Sequence, residues 1–334
     1  MMQDVSLLLS HRARAALVLI TALATACGGS KAKLATPGGP RMELLDGRLA
    51  FTPSATAELE PRPYDVMGAP TSAAEESRVI LVPGEPYAHF VLLANETFAT
   101  MPTDPAAAKA AISGFLGDGA IGEVTLADGA TAIEYLPRPS SHDGPRLVYA
   151  ALVTMADRTV IELDYYVLPE DDGDRAAWVK QARALTATMT RGTRAIDRSA
   201  RTVTFEGLAL DAPADTSFTA QPGPDFAVYR LRTIGPLGST ATIVGVYLGG
   251  HPSYQHAQAE DGASAVTTEA GTLLGTAVEW HRWTQDGVEY REAIVALGEH
   301  NAIHAFRLAP PGDARGPELD AALGTLREAT STSP

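Results

Sequence analysis

Short segments in which Val, Ile, Leu, Phe and Tyr alternate with polar residues recur along this chain between Gly- and Pro-rich breaks. Period two with β-branched and aromatic residues predicts strands. In the first half these are Arg78–Val82, Ala88–Ala94, Thr131–Leu136, Arg146–Met155 and Thr159–Leu168; in the second, Phe226–Thr233, Thr240–Leu248, Gly275–Thr284, Val288–Leu297 and Ala302–Leu308. The period lengthens where Trp178, Ala182, Leu185 and Met189 share one helical face, and again at Leu319, Leu323 and Leu326. The two helices are expected to run to about Met189 and Ala329. A shorter helix is predicted over Ala106–Leu116, with Asp104 as its cap and Pro105 in its first turn. Pro252–Glu260 fills the corresponding slot in the second half. An antiparallel sheet with an apolar face needs cover, which helices supply, so the expected class is α+β.

The pattern repeats. Gly47-Arg48-Leu49-Ala50-Phe51-Thr52-Pro53 and Gly207-Leu208-Ala209-Leu210-Asp211-Ala212-Pro213 both run from a Gly through apolar residues to a Pro. Near the ends of the halves, Pro169 and Pro310, and Leu185 and Leu326, are offset by the same 141 residues. We read two similar α+β domains, 42–190 and 202–330, joined by a linker, 191–201, with four arginines and no apolar run. At 334 residues the chain has the length for two domains.

Residues 1–26 change the picture. His11, Arg12 and Arg14 precede the apolar run Ala15–Ala24, and small residues lead to Cys27, the single cysteine. The run is too short to span a hydrocarbon core of about 30 Å, but fits the apolar part of a signal peptide. A Gly/Pro-rich tether, 27–41, follows. One cysteine excludes an internal disulfide and a multi-cysteine zinc site. The net charge of −14 argues against nucleic acid as a partner.

Candidate chemistry is sparse. Gly117-Asp118-Gly119-Ala120-Ile121-Gly122 matches G-x-G-x-x-G, but it follows a helix and leads into a strand-like segment, the reverse of a dinucleotide site; we read a turn. Glu170-Asp171-Asp172-Gly173-Asp174 precedes a helix and reads as N-terminal capping. Histidines gather in the second half: His251, His256, His281, His300 and His304. His300 and His304, four apart on a predicted strand, lie about 13 Å apart and cannot share an ion by themselves; His281 on a neighbouring strand could approach one of them. Tyr and Trp residues concentrate in the same half. We take Tyr254, Trp280, His281, Trp283, His300 and His304 as the possible binding surface. No hydrolase elbow, zincin or Walker motif is found, and no catalytic residue, metal or cofactor is expected.

Leu23-Ala24-Thr25-Ala26-Cys27 resembles the lipobox of bacterial lipoproteins, with Ala24 where leucine is commoner. The resemblance implies cleavage before Cys27, a diacylglycerol on its thiol and anchoring in the cell envelope. Gly28 in place of Asp points to the outer membrane, with the body facing the periplasm or the surface. The element order of each half resembles the PsbP-like α+β fold. The stretch Ala277-Val278-Glu279-Trp280 to Asp286-Gly287-Val288-Glu289-Tyr290-Arg291 resembles a hairpin of lipid-anchored periplasmic immunity proteins that block type VI secreted lipases. The expected function is a non-catalytic lipoprotein that binds a protein partner. The alternatives are an immunity protein and a metal-binding or hydrolytic second domain.

Overall fold

The computed structural model describes residues 38–53, 58–61, 75–81, 88–139, 146–167, 174–223, 225–258, 263–298 and 301–329. Cys27, the leader and most of the tether lie outside these residues. The chain forms two compact units divided between Ala195 and Ile196, with Pro236–Gly238 grouped with the first. Among the described residues there is no helix long and apolar enough to cross a membrane. The class is α+β, dominated by antiparallel strands.

The first unit runs β1 (Met42–Leu44), β2 (Leu49–Phe51), β3 (Glu58–Pro61), β4 (Glu75–Leu81), β5 (Ala88–Thr100), α1 (Pro105–Leu116), β6 (Gly119–Thr125), β7 (Thr131–Pro137), β8 (Arg146–Thr154), β9 (Thr159–Val167), α2 (Arg175–Ala187) and β10 (Thr190–Arg191). Its main sheet has the order β3-β4-β5-β9-β8-β7-β6, and β1-β2-β10 form a small second sheet. All nine residues of β9 are buried, because this central strand is covered on both faces. On one face α2 and the small sheet pack Trp178, Ala182, Leu185, Leu49 and Phe51 against Phe90, Leu163 and Tyr165. On the other, α1 sets Leu116 against Tyr135, Ala150, Leu152 and Val160. Asp104 caps α1 by accepting the Ala107 N–H at 2.7 Å. Gly117 ends α1 at φ +75° and Gly119 opens β6, where a Cβ would lie 2.3 Å from the Tyr135 ring. The glycine-rich run is thus a helix stop followed by an edge strand.

The remaining elements are β11 (Arg201–Phe205), β12 (Leu208–Ala212), β13 (Thr216–Pro222), β14 (Phe226–Thr233), β15 (Gly235–Pro236), β16 (Ile243–Gly249), a 3-10 turn (His256–Gln258), β17 (Thr267–Leu273), β18 (Thr276–Gln285), β19 (Val288–Leu297), β20 (Asn301–Ala309), α3 (Gly316–Gly324) and β21 (Arg327–Glu328), and all but β15, which the division splits, belong to the second unit. Its order, β13-β14-β16-β20-β19-β18-β17 beside a small β11-β12-β21 sheet, follows the same plan as the first unit. Leu319 and Leu323 of α3 pack on Tyr229, Leu231, Val246, Ile303 and Ala305.

Five details differ from the sequence expectation. In the slot 252–260, of which 252–258 are described, the chain forms a 3-10 turn at His256–Gln258 and no α-helix. This slot is short of apolar residues, and its backbone N–H groups turn to a side chain instead. The closing helix ends at Gly324, not near Ala329, and the chain then enters β21. The Leu185–Leu326 pairing at an offset of 141 is one turn out, and Pro169 of the other pair lies outside the described residues. Thr188 Oγ1 donates to Leu185 O and accepts from Thr52 N; Thr325 Oγ1 donates to Ala322 O and accepts from Asp211 N. These matched caps make Ala322 the counterpart of Leu185 and Leu326 that of Met189, because α3 is a turn shorter than α2. At the entry hairpin, Leu44 faces Leu49 while Phe205 faces Leu208. The Gly47–Gly207 alignment therefore slips by one residue. Asp174 stands at the start of α2 without a side-chain capping bond, and Glu170–Gly173 lie outside the described residues.

The longer first hairpin carries Arg48, which is buried. Its Nη1 donates to Asp157 Oδ2 at 3.1 Å and Arg194 O at 2.8 Å, and its Nη2 to Thr159 Oγ1 at 2.5 Å. Its Nε lies 2.7 Å from Glu96 Oε2, close enough for an ion pair but off the hydrogen-bond direction. Burial and the Asp157 charge lift the Glu96 carboxyl to about 7 against the pull of Arg48. Folded Glu96 thus holds a proton that the unfolded chain releases near 4.5. This group lowers stability as pH rises from about 4.5 to about 7. Arg48→Ala should cost about 3–5 kcal/mol in urea unfolding of the first unit, and Glu96→Gln should flatten that pH dependence.

Candidate functional site

Strand alternation decides which predicted residues meet. On β18, His281 and Trp283 share one face and Trp280 takes the other. His281 lies opposite Glu292 of β19, Trp283 opposite Tyr290, and Glu292 opposite Phe306 of β20, two residues beyond His304. These side chains occupy the sheet face away from α3. The segment before β17 lies over them, bringing Tyr254 and His256.

Glu292 organises the cluster. Its side chain is buried to 1% exposure. Its Oε1 accepts from His256 N and lies 2.8 Å from His256 Nδ1. Its Oε2 accepts from Gln255 N at 3.0 Å and lies 2.6 Å from His304 Nε2. Burial raises the carboxyl; the His304 hydrogen bond and the two backbone N–H groups outweigh it, holding Glu292 below the usual range. The His256 and His281 rings stack at 4.0 Å with 18° between planes. Tyr254 meets both at 4.9 Å, and Trp283 stacks on Tyr290 at 4.7 Å. Burial and the neighbouring His256 hold the His281 imidazole below its ordinary value, against the opposing pull of Glu279 and Glu292. The indole Nε1 of Trp283 is buried without a hydrogen-bond partner among the described residues.

Four of the six predicted residues therefore converge: Tyr254, His281, Trp283 and His304. Trp280 does not. It is 4% exposed in the core under α3, with the Arg291 guanidinium 3.8 Å above its ring. Arg291 is itself tied to Glu269 and Asp320, so Trp280 anchors a charged network and is withdrawn from the binding surface. His300 lies outside the described residues. Among those described, no three His, Cys, Asp or Glu groups are placed to hold a metal ion.

Two members of the cluster were not among the selected residues. His256 belonged to the histidine group, and its predicted helical setting hid its role. Glu292 stood as one carboxylate in a mixed strand segment, Arg291-Glu292-Ala293. Its signal was position: it falls on the His281 face once the β18–β19 register is known.

The carboxylate supplies a charged acceptor to four donors. Glu292→Gln keeps the volume and replaces that acceptor with a neutral amide. It should lower the stability of the second unit by about 2–3 kcal/mol in urea unfolding. Because the folded carboxyl sits below 4.5, the wild-type contribution is full above that pH and fades as pH falls through the folded value. The difference between the two proteins should shrink accordingly in acid.

No protein-family model matches the chain, and no curated protein matches it. Two solved structures of the immunity protein TplEi of T6SS from Pseudomonas aeruginosa are similar to it over 86% of its length. The apo form aligns over 96% of its own chain at 10% identity with a TM-score of 0.21. The form complexed with "L" peptide aligns over 97% at 9% identity with a TM-score of 0.20. Scores at this level do not establish a shared fold.

Proposed function

We propose that this chain is an exported lipoprotein, acylated on Cys27 and held in the cell envelope, whose folded body binds a protein partner without catalysis. The observation that carries the binding half is the ring cluster of the second unit. Tyr254, His256 and His281 are partly exposed, and Glu292 fixes His256. Rings held in place before binding lose little freedom on association, and aromatic anchors dominate interface energies. The lipobox-like Leu23–Cys27 and the tether after it support the anchoring half.

An antagonist of a secreted enzyme is one partner-binding protein of this kind. The hairpin that resembles such immunity proteins, residues 277–291, carries His281 and Trp283 of the cluster. In this reading the toxin docks on the Tyr254–His281 face.

Mass spectrometry of the mature protein from envelope fractions should find a diacylglycerol on Cys27 as the first residue. An unmodified thiol, or an intact leader, overturns the anchoring half. A photo-crosslinker at Tyr254 in the anchored protein should capture one dominant envelope or secreted protein. Tyr254→Ala should then weaken that purified complex by about tenfold, equivalent to roughly 1.4 kcal/mol. Unchanged affinity overturns the assignment of this face.

A further inference from the structure

Between β16 and β17, the segment 250–258 crosses the face of the second sheet away from α3, and its described attachments to that face converge on one carboxylate. Gln255 N, His256 N and His256 Nδ1 all reach Glu292, and Tyr254 and His256 add ring contacts to His281. Trp283, 5% exposed, lies 6.1 Å from the His256 ring and stacks in turn on Tyr290. Burying an indole N–H without an acceptor is costly, so the covered arrangement carries a built-in penalty at Trp283. The corresponding position in the first unit is taken by α1, an apolar helix packed on Tyr135, Ala150 and Leu152. Where that unit uses a permanent apolar cover, the second uses three histidines and a carboxylate.

We propose that the segment 250–258 is an acid-released strap: it is seated on the sheet at neutral pH, and it lifts when the stacked His256–His281 pair has to carry two positive charges. At 4.0 Å between ring centres the two cations cannot both be accommodated without strong repulsion. The groups that face His281 are His256 and Tyr254 from the strap, Glu279 on its own strand, Glu292 from β19 and, beyond it, His304 from β20. From β17 the cross-strand neighbour is the uncharged Thr268, and Glu269 turns to the opposite face with Arg282 and Arg291. The buried carboxylate Glu292 already accepts from the His256 and His304 side, so a positive charge at His281 lacks a buried counter-charge of its own.

The direction with pH follows from the seated state. Seated His281 binds a proton less readily than a free imidazole, with an ordinary value of 6.5. The lifted state therefore gains protons first, and the seated state loses ground as pH falls below 6.5 toward the lower, seated value. Above 6.5 its contribution to seating is complete. Lifting would bare the Trp283–Tyr290 stack and give the indole N–H access to water.

The test is amide hydrogen exchange at Gln255 and His256 in the intact protein between pH 7.5 and 5, corrected for the intrinsic rate at each pH. Exchange at both amides should rise several-fold on acidification while β20 amides stay protected. His281→Phe keeps a ring against His256 and removes the titration, so it should hold both amides protected across the range. If wild-type protection at these amides is the same at both ends, or if His281→Phe shows the same rise, the proposal fails. Should His281→Phe disturb folding, the wild-type profile and His281→Asn, which removes both ring and charge, decide the matter. His281→Asn should abolish the pH dependence at whatever protection it leaves, and a retained acid rise refutes a role for His281.

Discussion

A sheet whose central strands are buried on both faces must be covered twice, and most of this structure answers that demand. β9 is buried at all nine residues, and β20 at seven of nine. Each unit meets half of the requirement in the same way. A closing helix and a small three-stranded sheet pack on one face, joined by matched threonine caps at Thr188 and Thr325. The units part on the other face. In the first, α1 lays down Leu116 and closes an apolar layer; in the second, the segment that ends in the 3-10 turn brings the Tyr254 phenol and the His256 imidazole.

That divergence creates the candidate site. Polar groups taken from water on a covered sheet face must find partners, and Glu292 answers with four donors around one carboxylate. The result is a cluster of rings held around one carboxylate. The buried Arg48–Glu96–Asp157 group of the first unit has a different cause. Two additional hairpin residues force a guanidinium inward, and its ties to Thr159 and the Arg194 carbonyl staple the small sheet to β9 and to the end of the unit.

Much of this was legible in the amino-acid order. Val288–Leu297 and Phe226–Thr233 are strands at the residues that period two predicts, and α1 starts behind Asp104 and Pro105 as their chemistry requires. The helix-to-strand reading of Gly117–Gly122 follows from the same local rules. Strands with weak patterns, such as β13 and β17, are not legible in this way. Threonine and glycine at edge positions give no alternation, and only pairing with β14 and β18 makes these segments strands. Spacing alone overstates the length of α3, because Leu326 keeps helical spacing while belonging to the turn after the helix.

What the sequence determined by itself is local: alternation, caps, breaks, the solitary cysteine behind an apolar leader, and the concentration of histidines and aromatics in the second half. What only tertiary structure decided is register. A shift of one residue on β18 would exchange Trp280 for His281 on the covered face, and no composition reveals which is right. The pairing of β18 with β19 and of β19 with β20 brings Glu292 to three histidines scattered from 256 to 304, because hydrogen-bonded strands place distant residues within contact distance.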